Sequence, residues 1–371
     1  MVPEDYVYED VWEDSIINLK VSFNDPENGD AITDATVYTN NFTDPSIKQY
    51  FSEISPGEYL LEFNVSGAEA GDNTLTIHAN SSLYINQEED ITIHVIKETI
   101  LETNQSIITT QWNQNFSAYF NYTEKSTGLN ITTIPTNNWL GDTHITQDEI
   151  TGQYKLVGNC SAYEANKQYS LIINVDEYGY EEQSLLFKIK ILQRETRLDN
   201  LTLNGDDKTT QKSISLTSGE LLNVSIRYED TLREEFINNA SVQIRGGGIT
   251  ENLTEHVSHE FYNITIDTSQ LDIGTTFMTL SAQKGNYSAA SMVFTVRVGK
   301  IGTTKKLLIN GKDITEDPKY VAYNNQSLNI QFQYNDTLND QLVPTASVSI
   351  LGAIEEVSMD EQSTYYNYTL N

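Results

Sequence analysis

The 371-residue sequence contains one cysteine, Cys160, so no disulfide can form within the chain. A lone thiol is either a link to another molecule or a small buried hydrophobe, and burial is the expectation for Cys160. Proline is scarce, with seven residues. No stretch rich in Ala, Leu, Glu and Lys repeats with the 3.6-residue period of an amphipathic helix. No run of 18 apolar residues occurs, which excludes a helical membrane span within this sequence. The opening Met1-Val2-Pro3-Glu4-Asp5-Tyr6 is acidic where a secretory signal is basic and then apolar. Basic residues are also few: 22 against 53 acids, a net charge of −31. So negative a surface repels nucleic acid and anionic lipid head groups. The acids are scattered and form no tail, the pattern of a solvated surface.

Catalytic signatures are missing as well. There is no Gly-x-Ser-x-Gly elbow, and no motif surrounds Cys160. Gly246-Gly247-Gly248 lacks the Lys-Ser/Thr of a phosphate loop, opens no helix and reads as a hairpin turn. His256-x-x-His259 has the spacing of a zinc pair on a helix, but the region reads as strand or turn, where that spacing separates the rings. His78 and His94 fall on outward strand positions. Trp12, Trp112 and Trp139 are expected in cores or between domains and not as sugar platforms. Carboxylate pairs are too numerous to single out. No enzyme is expected.

What is present is a β-forming composition. Tyr (22), Ile, Val and Thr are plentiful, and 38% of residues are hydrophobic, enough for several small cores. The strongest feature is an internal repeat. Leu19-Lys20-Val21-Ser22-Phe23-Asn24-Asp25 is followed by Gly29, Ile32, Ala35 and Val37. Val224-Ser225-Ile226-Arg227-Tyr228-Glu229-Asp230 is followed by Ile237, Ala240 and Val242. Ile330-Gln331-Phe332-Gln333-Tyr334-Asn335-Asp336 is followed by Val343, Ala346 and Val348. The acid lies ten residues before the Ala in all three. A weaker copy runs from Ala118 through Tyr122 to Glu124, then Gly128 and Ile131.

Later segments keep the same register. Leu75, Ile77, Ala79 and Tyr84 return as Leu171, Ile173, Val175 and Tyr180, and as Met278, Leu280, Ala282 and Tyr287. Closing strands end at Val95, Ile191 and Val298, and a Thr opens each following unit: Thr99, Thr196, Thr303. Every matched segment alternates apolar and polar residues, as a strand with one buried face does. Turn residues such as Asn28-Gly29, Pro56-Gly57 and Lys284-Gly285-Asn286 separate strands at the spacing of a sandwich. About seven strands per 100 residues is the immunoglobulin-like size, and a unit that large buries its own core.

The expected fold is all-β, a tandem array of immunoglobulin-like β-sandwich domains. Its boundaries are 1–98 (opening strand missing), 99–195 (divergent), 196–302 and 303–371 (C-terminally truncated). The last unit stops at the counterpart of Asp267, so the sequence reads as a window on a longer array whose signal and anchor lie outside it.

The pattern Val-x-aromatic-x-Asp, a Gly-bearing turn, then Ile-x-x-Ala-x-Val resembles the tandem Ig-like domains of large bacterial and archaeal surface proteins, invasin/intimin-type repeats included. It covers the first, third and fourth units well and the second weakly. The resemblance implies an extracellular stalk, adhesin or surface-layer component, with other copies or further domains of the same protein as partners. The alternative is a module array that binds glycans or a cell-surface protein through loops at the sandwich ends. Neither needs a cofactor.

Asn-x-Ser/Thr sequons are the one strong chemical signal. They begin at Asn41, Asn64, Asn80, Asn104, Asn115, Asn121, Asn130, Asn159, Asn200, Asn223, Asn239, Asn252, Asn263, Asn286, Asn325, Asn335 and Asn367. These 17 exceed the roughly 6 to 7 that composition predicts. Asn64, Asn121 and Asn223 each sit between two core-facing residues and so are expected to face solvent, where a glycan fits. Taken with the resemblance to prokaryotic surface proteins, sequons at this density point to an archaeal and not a bacterial glycoprotein. A weaker signal is the loop holding Asp25, Glu27, Asn28 and Asp30, whose oxygens suit Ca2+, although Asx residues favour turns for their own reasons.

Overall fold

The structure, a computed structural model, describes residues 8–352 and 356–371. It divides into two compact units, Met1–Gln193 and Arg194–Asn371, each with two sandwiches. Among the described residues the only helical pieces are two single 3-10 turns.

In the first unit, the first sandwich packs a five-stranded sheet on a three-stranded one. The larger sheet runs Tyr8–Trp12, Gln87–Ile96, Gly71–Asn80, Thr36–Asn40, Lys48–Tyr50 in spatial order. The smaller runs Ile16–Ser22, Glu58–Asn64, Ser52–Ser55. Between them lie Leu19, Val21, Phe23, Phe63, Ile77 and Ile93, all buried. The second sandwich faces Ile107–Gln111, Gln183–Leu192, Lys167–Val175, Thr136–Asn137 against Thr143–Gln147, Tyr154–Asn159, Asn115–Glu124, Thr99–Glu102. Its core holds Phe116, Phe120, Tyr154, Phe187 and Trp139. Cys160 is fully buried there, its Sγ 3.1 Å from the carbonyl oxygens of Gln111 and Gln114.

In the second unit, the third sandwich has two five-stranded sheets, centred on Leu221–Asp230 and Gly274–Gln283. They enclose the largest core, with Leu222, Val224, Ile226, Met278, Phe294 and Val296. The fourth has a five-stranded sheet around Leu328–Asp336 and a two-stranded piece, Ser349–Leu351 with Glu356–Ser358. The side chains of Leu328–Asp336 are half-buried throughout.

Alternation does what the pattern requires: along Asn115–Glu124, Phe116, Ala118, Phe120 and Tyr122 point inward. Each such burial stabilises by about 1.5–3 kcal/mol for the large side chains. The opening segments switch sheets. Thr99–Glu102 pairs antiparallel with Asn115–Glu124, and Ile107–Gln111 then crosses to pair parallel with Gln183–Leu192. Ser213–Thr217 repeats the parallel pairing with Ala290–Gly299, as does Tyr8–Trp12 with Gln87–Ile96.

The Ile-x-x-Ala spacing has a cause that the sequence does not show. A buried tyrosine on a neighbouring strand donates its hydroxyl to the Ile carbonyl and accepts the Ala N–H. Tyr59 bridges Ile32 O and Ala35 N at 2.9 Å each. Tyr262 bridges Ile237 O at 2.7 Å and Ala240 N at 3.1 Å. Tyr366 bridges Val343 O at 2.6 Å and Ala346 N at 3.0 Å. In the divergent second sandwich Tyr154 bridges Ile131 O and Thr133 N, a shorter loop. The residue before the Ala is left-handed in the other three: Asp34, Asn239 and Thr345, with φ 54°, 48° and 55°. Its exposed N–H is held by a carboxylate each time, Glu53, Glu255 or Glu361.

Candidate functional site

The chemically richest places are the ends of the sandwiches where a new unit begins. In the second sandwich, Lys97 stands two residues before the opening Thr99. Its N–H donates to Gly179 O at 2.9 Å, and its carbonyl accepts from Glu181 N at 3.0 Å. Its ammonium lies 3.0 Å from Glu124 Oε1, with both side chains largely buried. Thr99 Oγ1 and Tyr122 OH both donate to Glu181 O, at 3.0 and 3.2 Å. Burial pushes the Tyr122 hydroxyl up to about 12. Burial also raises Glu124, but Ser126 and Lys97 outweigh it and hold that carboxyl below its ordinary value.

The third sandwich repeats the device with stronger partners. Arg194 replaces Lys97, and its backbone exchanges hydrogen bonds with Asn286 O and Ser288 N at 3.0 and 2.8 Å. Its guanidinium grips Asp230 with Nε–Oδ2 at 2.8 Å and Nη2–Oδ1 at 2.9 Å. Arg194 is 1% exposed, and its Nη1 has no hydrogen-bond partner. Burial raises the Asp230 carboxyl, but Arg194 and the N–H groups of Arg233 and Leu232 together hold it below its ordinary value. Thr196 Oγ1 and Tyr228 OH both reach Ser288 O at 2.8 Å. In the second and third sandwiches the matched aromatic and acid of the sequence repeat are thus a hydroxyl and a carboxylate that clasp the entering chain. Only the residues downstream of the loop, 92 positions away for Thr196, could have revealed it.

Within the first unit the clasped segment also joins two sandwiches. Tyr178 lies on His94, with ring centres 4.6 Å apart, and hydrogen bonds Asp72, which also holds His94 Nδ1 at 2.9 Å. A Cβ on Gly179 would lie 2.1 Å from Gly71 N, so only glycine permits this approach. Gly71 and Gly179 are both left-handed, at φ 87° and 79°. Ser126 Oγ donates to Glu13 at 3.2 Å across the same joint.

Of the 17 sequon asparagines, ten are exposed and seven half-buried. Asn64 and Asn223 are exposed between buried neighbours, as the alternation requires. Asn121 is half-buried in the same setting, with Gln153 Nε2 3.4 Å from its Oδ1. The half-buried ones, Asn41, Asn121, Asn159, Asn263, Asn286, Asn335 and Asn367, include Asn286, whose carbonyl serves the Arg194 clasp.

The acidic loop behaves as a turn. Asp25 Oδ1 accepts the Glu27 N–H at 2.9 Å, and Asn28 Oδ1 accepts the Asp30 N–H at 3.0 Å. Among the described residues no three His, Cys, Asp or Glu side chains gather as metal ligands. His78 and His94 lie along their strands against Glu88 and Asp72. His256 ends the strand Thr254–His256, and His259 closes the turn that follows. A 3-10 turn, Val257–His259, brings both rings to Phe261, at 4.9 and 5.9 Å. Gly247 and Gly248 form the two-residue hairpin, both at positive φ. In the Lys284-Gly285-Asn286 turn the left-handed residue is Asn286 and not the glycine. Trp139 is in the core, while Trp12 is exposed.

No family model matches the sequence, and no curated protein matches it. Solved structures of tandem Ig-like proteins are similar to the chain. A titin I-band fragment, I67–I69, has 8% identity over 80% of this chain and 96% of its own, with a TM-score of 0.37. Invasin, a bacterial integrin-binding protein, has 14% identity over 93% of this chain and 70% of its own, with a TM-score of 0.34. A tetra-tandem repeat from the extending region of a large adhesion protein has 14% identity over 97% and 89%, with a TM-score of 0.36. At these scores the likeness carries no argument about function, and the fold class rests on the sheets and cores described above.

Proposed function

We propose that this chain is a structural or adhesive part of an extracellular stalk or surface layer on a prokaryotic cell, an archaeal one. It acts as an N-glycosylated, semi-rigid spacer built from units 1–98, 99–195, 196–302 and 303–371. The observation that carries this reading is the closed joint between the first and second sandwiches. The Lys97 ladder, the Gly71–Gly179 approach and the Tyr178–His94–Asp72 cluster leave no free linker there. Bonds of this kind resist swinging of one sandwich on the next. Exposed sequons on strands whose other face is core support a glycan coat without disturbing the fold.

The test is a distance measurement on the full chain with spin labels at Glu62→Cys and Gln168→Cys, both exposed positions in adjacent sandwiches. A spacer gives one narrow distance distribution, and Gly179→Val broadens it. A broad distribution in the unaltered joint refutes the reading. Glycopeptide analysis of native material checks the glycan coat, and bare asparagine at all 17 sites removes that part.

A further inference from the structure

The outward face of one sheet in the third sandwich is free of acids. The sheet runs Ser213–Thr217, Ala290–Gly299, Gly274–Gln283, Ser241–Gly246, Ile249–Asn252 in spatial order. These strands hold a single carboxylate, Glu251, which pairs with the core residue Ile244 and so belongs to the opposite face. The outward side therefore carries none, in a chain with 53 acids. By the repeat offset, Thr275, Ser291 and Val293 stand where the first sandwich has Asp72, Glu88 and Asp90. Most of what points outward is hydroxyl: Ser215, Thr275, Thr279, Ser281, Ser291 and Thr295 among others.

Two arginines and one phenylalanine rise from these hydroxyls. Four of the chain's six arginines, Arg194, Arg197, Arg227 and Arg233, are ion-paired. Arg245 and Arg297 are exposed, and their own face offers them no carboxylate. Arg245 Nε meets Gln243 Oε1 instead, at 2.6 Å. Phe277 is 67% exposed. The matched positions are Thr74 and Ser170, so a sandwich folds without an aromatic there. Register sets the three on a diagonal: Arg245 pairs with Thr279, Phe277 with Thr295, and Arg297 with Thr275. Each step is one strand across and two residues along, so the arginine Cα atoms lie roughly 16 Å apart with Phe277 midway.

We propose that this face binds an anionic polysaccharide, with a sugar ring on Phe277 and the carboxylate or sulfate of flanking sugars on Arg245 and Arg297. A guanidinium holds such an oxyanion through two parallel N–H bonds. The surrounding hydroxyls and Gln243 suit a ligand that is itself covered in hydroxyls. Within these strands the exposed large apolar side chains are Phe277 and Val293, too few for the packed centre of a protein interface. A DNA duplex would present about nine phosphate charges over the same length, against two cations. The net charge of −31 does not forbid the contact, because charges beyond about 10 Å are screened at ordinary salt and the face adds no acid of its own. This inference stands apart from the spacer reading, since no joint enters it.

The test titrates the isotopically labelled full chain with oligomers of alginate, dextran sulfate, neutral dextran and polyglutamate. Saturable binding of alginate or dextran sulfate is expected, with shift changes centred on Arg245, Phe277 and Arg297, and the tighter of the two tells carboxylate from sulfate. Mapping is done on the unaltered chain, so it does not depend on a variant folding. Arg245→Gln with Arg297→Gln weakens binding at least about tenfold, and Phe277→Ser roughly fivefold. Lys188→Gln with Lys190→Gln is the control for plain charge attraction and leaves binding unchanged. Those lysines are exposed on the matched face of the second sandwich, whose strands also lack carboxylates and which has no aromatic at the place of Phe277. Absence of saturable binding to both anionic oligomers overturns the proposal, as does equally tight binding of neutral dextran. Polyglutamate binding as tightly would assign the face to an acidic polypeptide and overturn it too. So would an equal loss in the lysine variant, indifference to Phe277→Ser, or shift changes centred elsewhere.

Discussion

Tyr262→Phe isolates the hydroxyl latch that sets the Ile-x-x-Ala spacing. The ring stays, so core packing is kept, and only one oxygen is lost. That oxygen donates to Ile237 O at 2.7 Å and accepts from Ala240 N at 3.1 Å. Ile237 is buried, so its carbonyl has no ready replacement, whereas Ala240 is half-buried and its N–H can take a water. A buried polar group left unsatisfied costs about 1–3 kcal/mol, and with the Ala240 N–H taken up by water the substitution should cost about that much. For a domain of this size each kcal/mol moves the melting point by roughly 4–8 °C, giving a fall of at least about 4 °C in one transition. Scanning calorimetry of the full chain reads this directly. Tyr50→Phe, at an exposed ring, is the control and should stay within about 0.5 kcal/mol of the parent. If Tyr262→Phe is indistinguishable from Tyr50→Phe, the hydroxyl is not what holds the loop.

Arg194→Met should cost about 3–5 kcal/mol in urea unfolding, because it strands a buried carboxylate, and Arg194→Met with Asp230→Leu should recover most of that loss. The Asp230 carboxyl is depressed in the fold, so its contribution is present above the ordinary aspartate value of about 3.9 and fades as pH falls through the lower folded value. Stability measured below about pH 4 should therefore drop more steeply in the parent than in the double variant, and parallel curves would count against the pairing. Burial raises the Tyr122 and Tyr262 hydroxyls to about 12, so their contribution is complete below about pH 10 and lost as pH climbs through 12. Phenolate absorbance should show an early wave from exposed tyrosines and a late one coincident with unfolding; a single wave near pH 10 would refute it. Gly57→Ala should cost about 1–2 kcal/mol, since φ is +74° and the new Cβ would lie 2.8 Å from Ala31 Cβ. An unchanged denaturation midpoint would mean the turn relaxes.

The strands and their inward faces were legible because they are local. Alternation along Leu19–Phe23, Phe116–Tyr122 and Leu222–Tyr228 decides which side chains are buried without knowledge of what they meet. The repeat register likewise placed Tyr84, Tyr180 and Tyr287 at one position. The tyrosine latch was hidden, although Tyr59, Tyr262 and Tyr366 are visible residues, because nothing in a strand's own pattern says that its hydroxyl reaches a loop 20–27 positions earlier.

Sequence alone determined an all-β array with separate cores, the outward placing of Asn64 and Asn223 on their strands, and a surface dominated by carboxylates. Tertiary structure decided which of those carboxylates acquire a partner. Glu124 and Asp230 receive Lys97 and Arg194 because the chain returns to the same sandwich end from 27 and 36 residues away, and Gly71 meets Gly179 across more than a hundred. Such meetings depend on how whole sheets are stacked and closed, and a period of two residues carries no information about that.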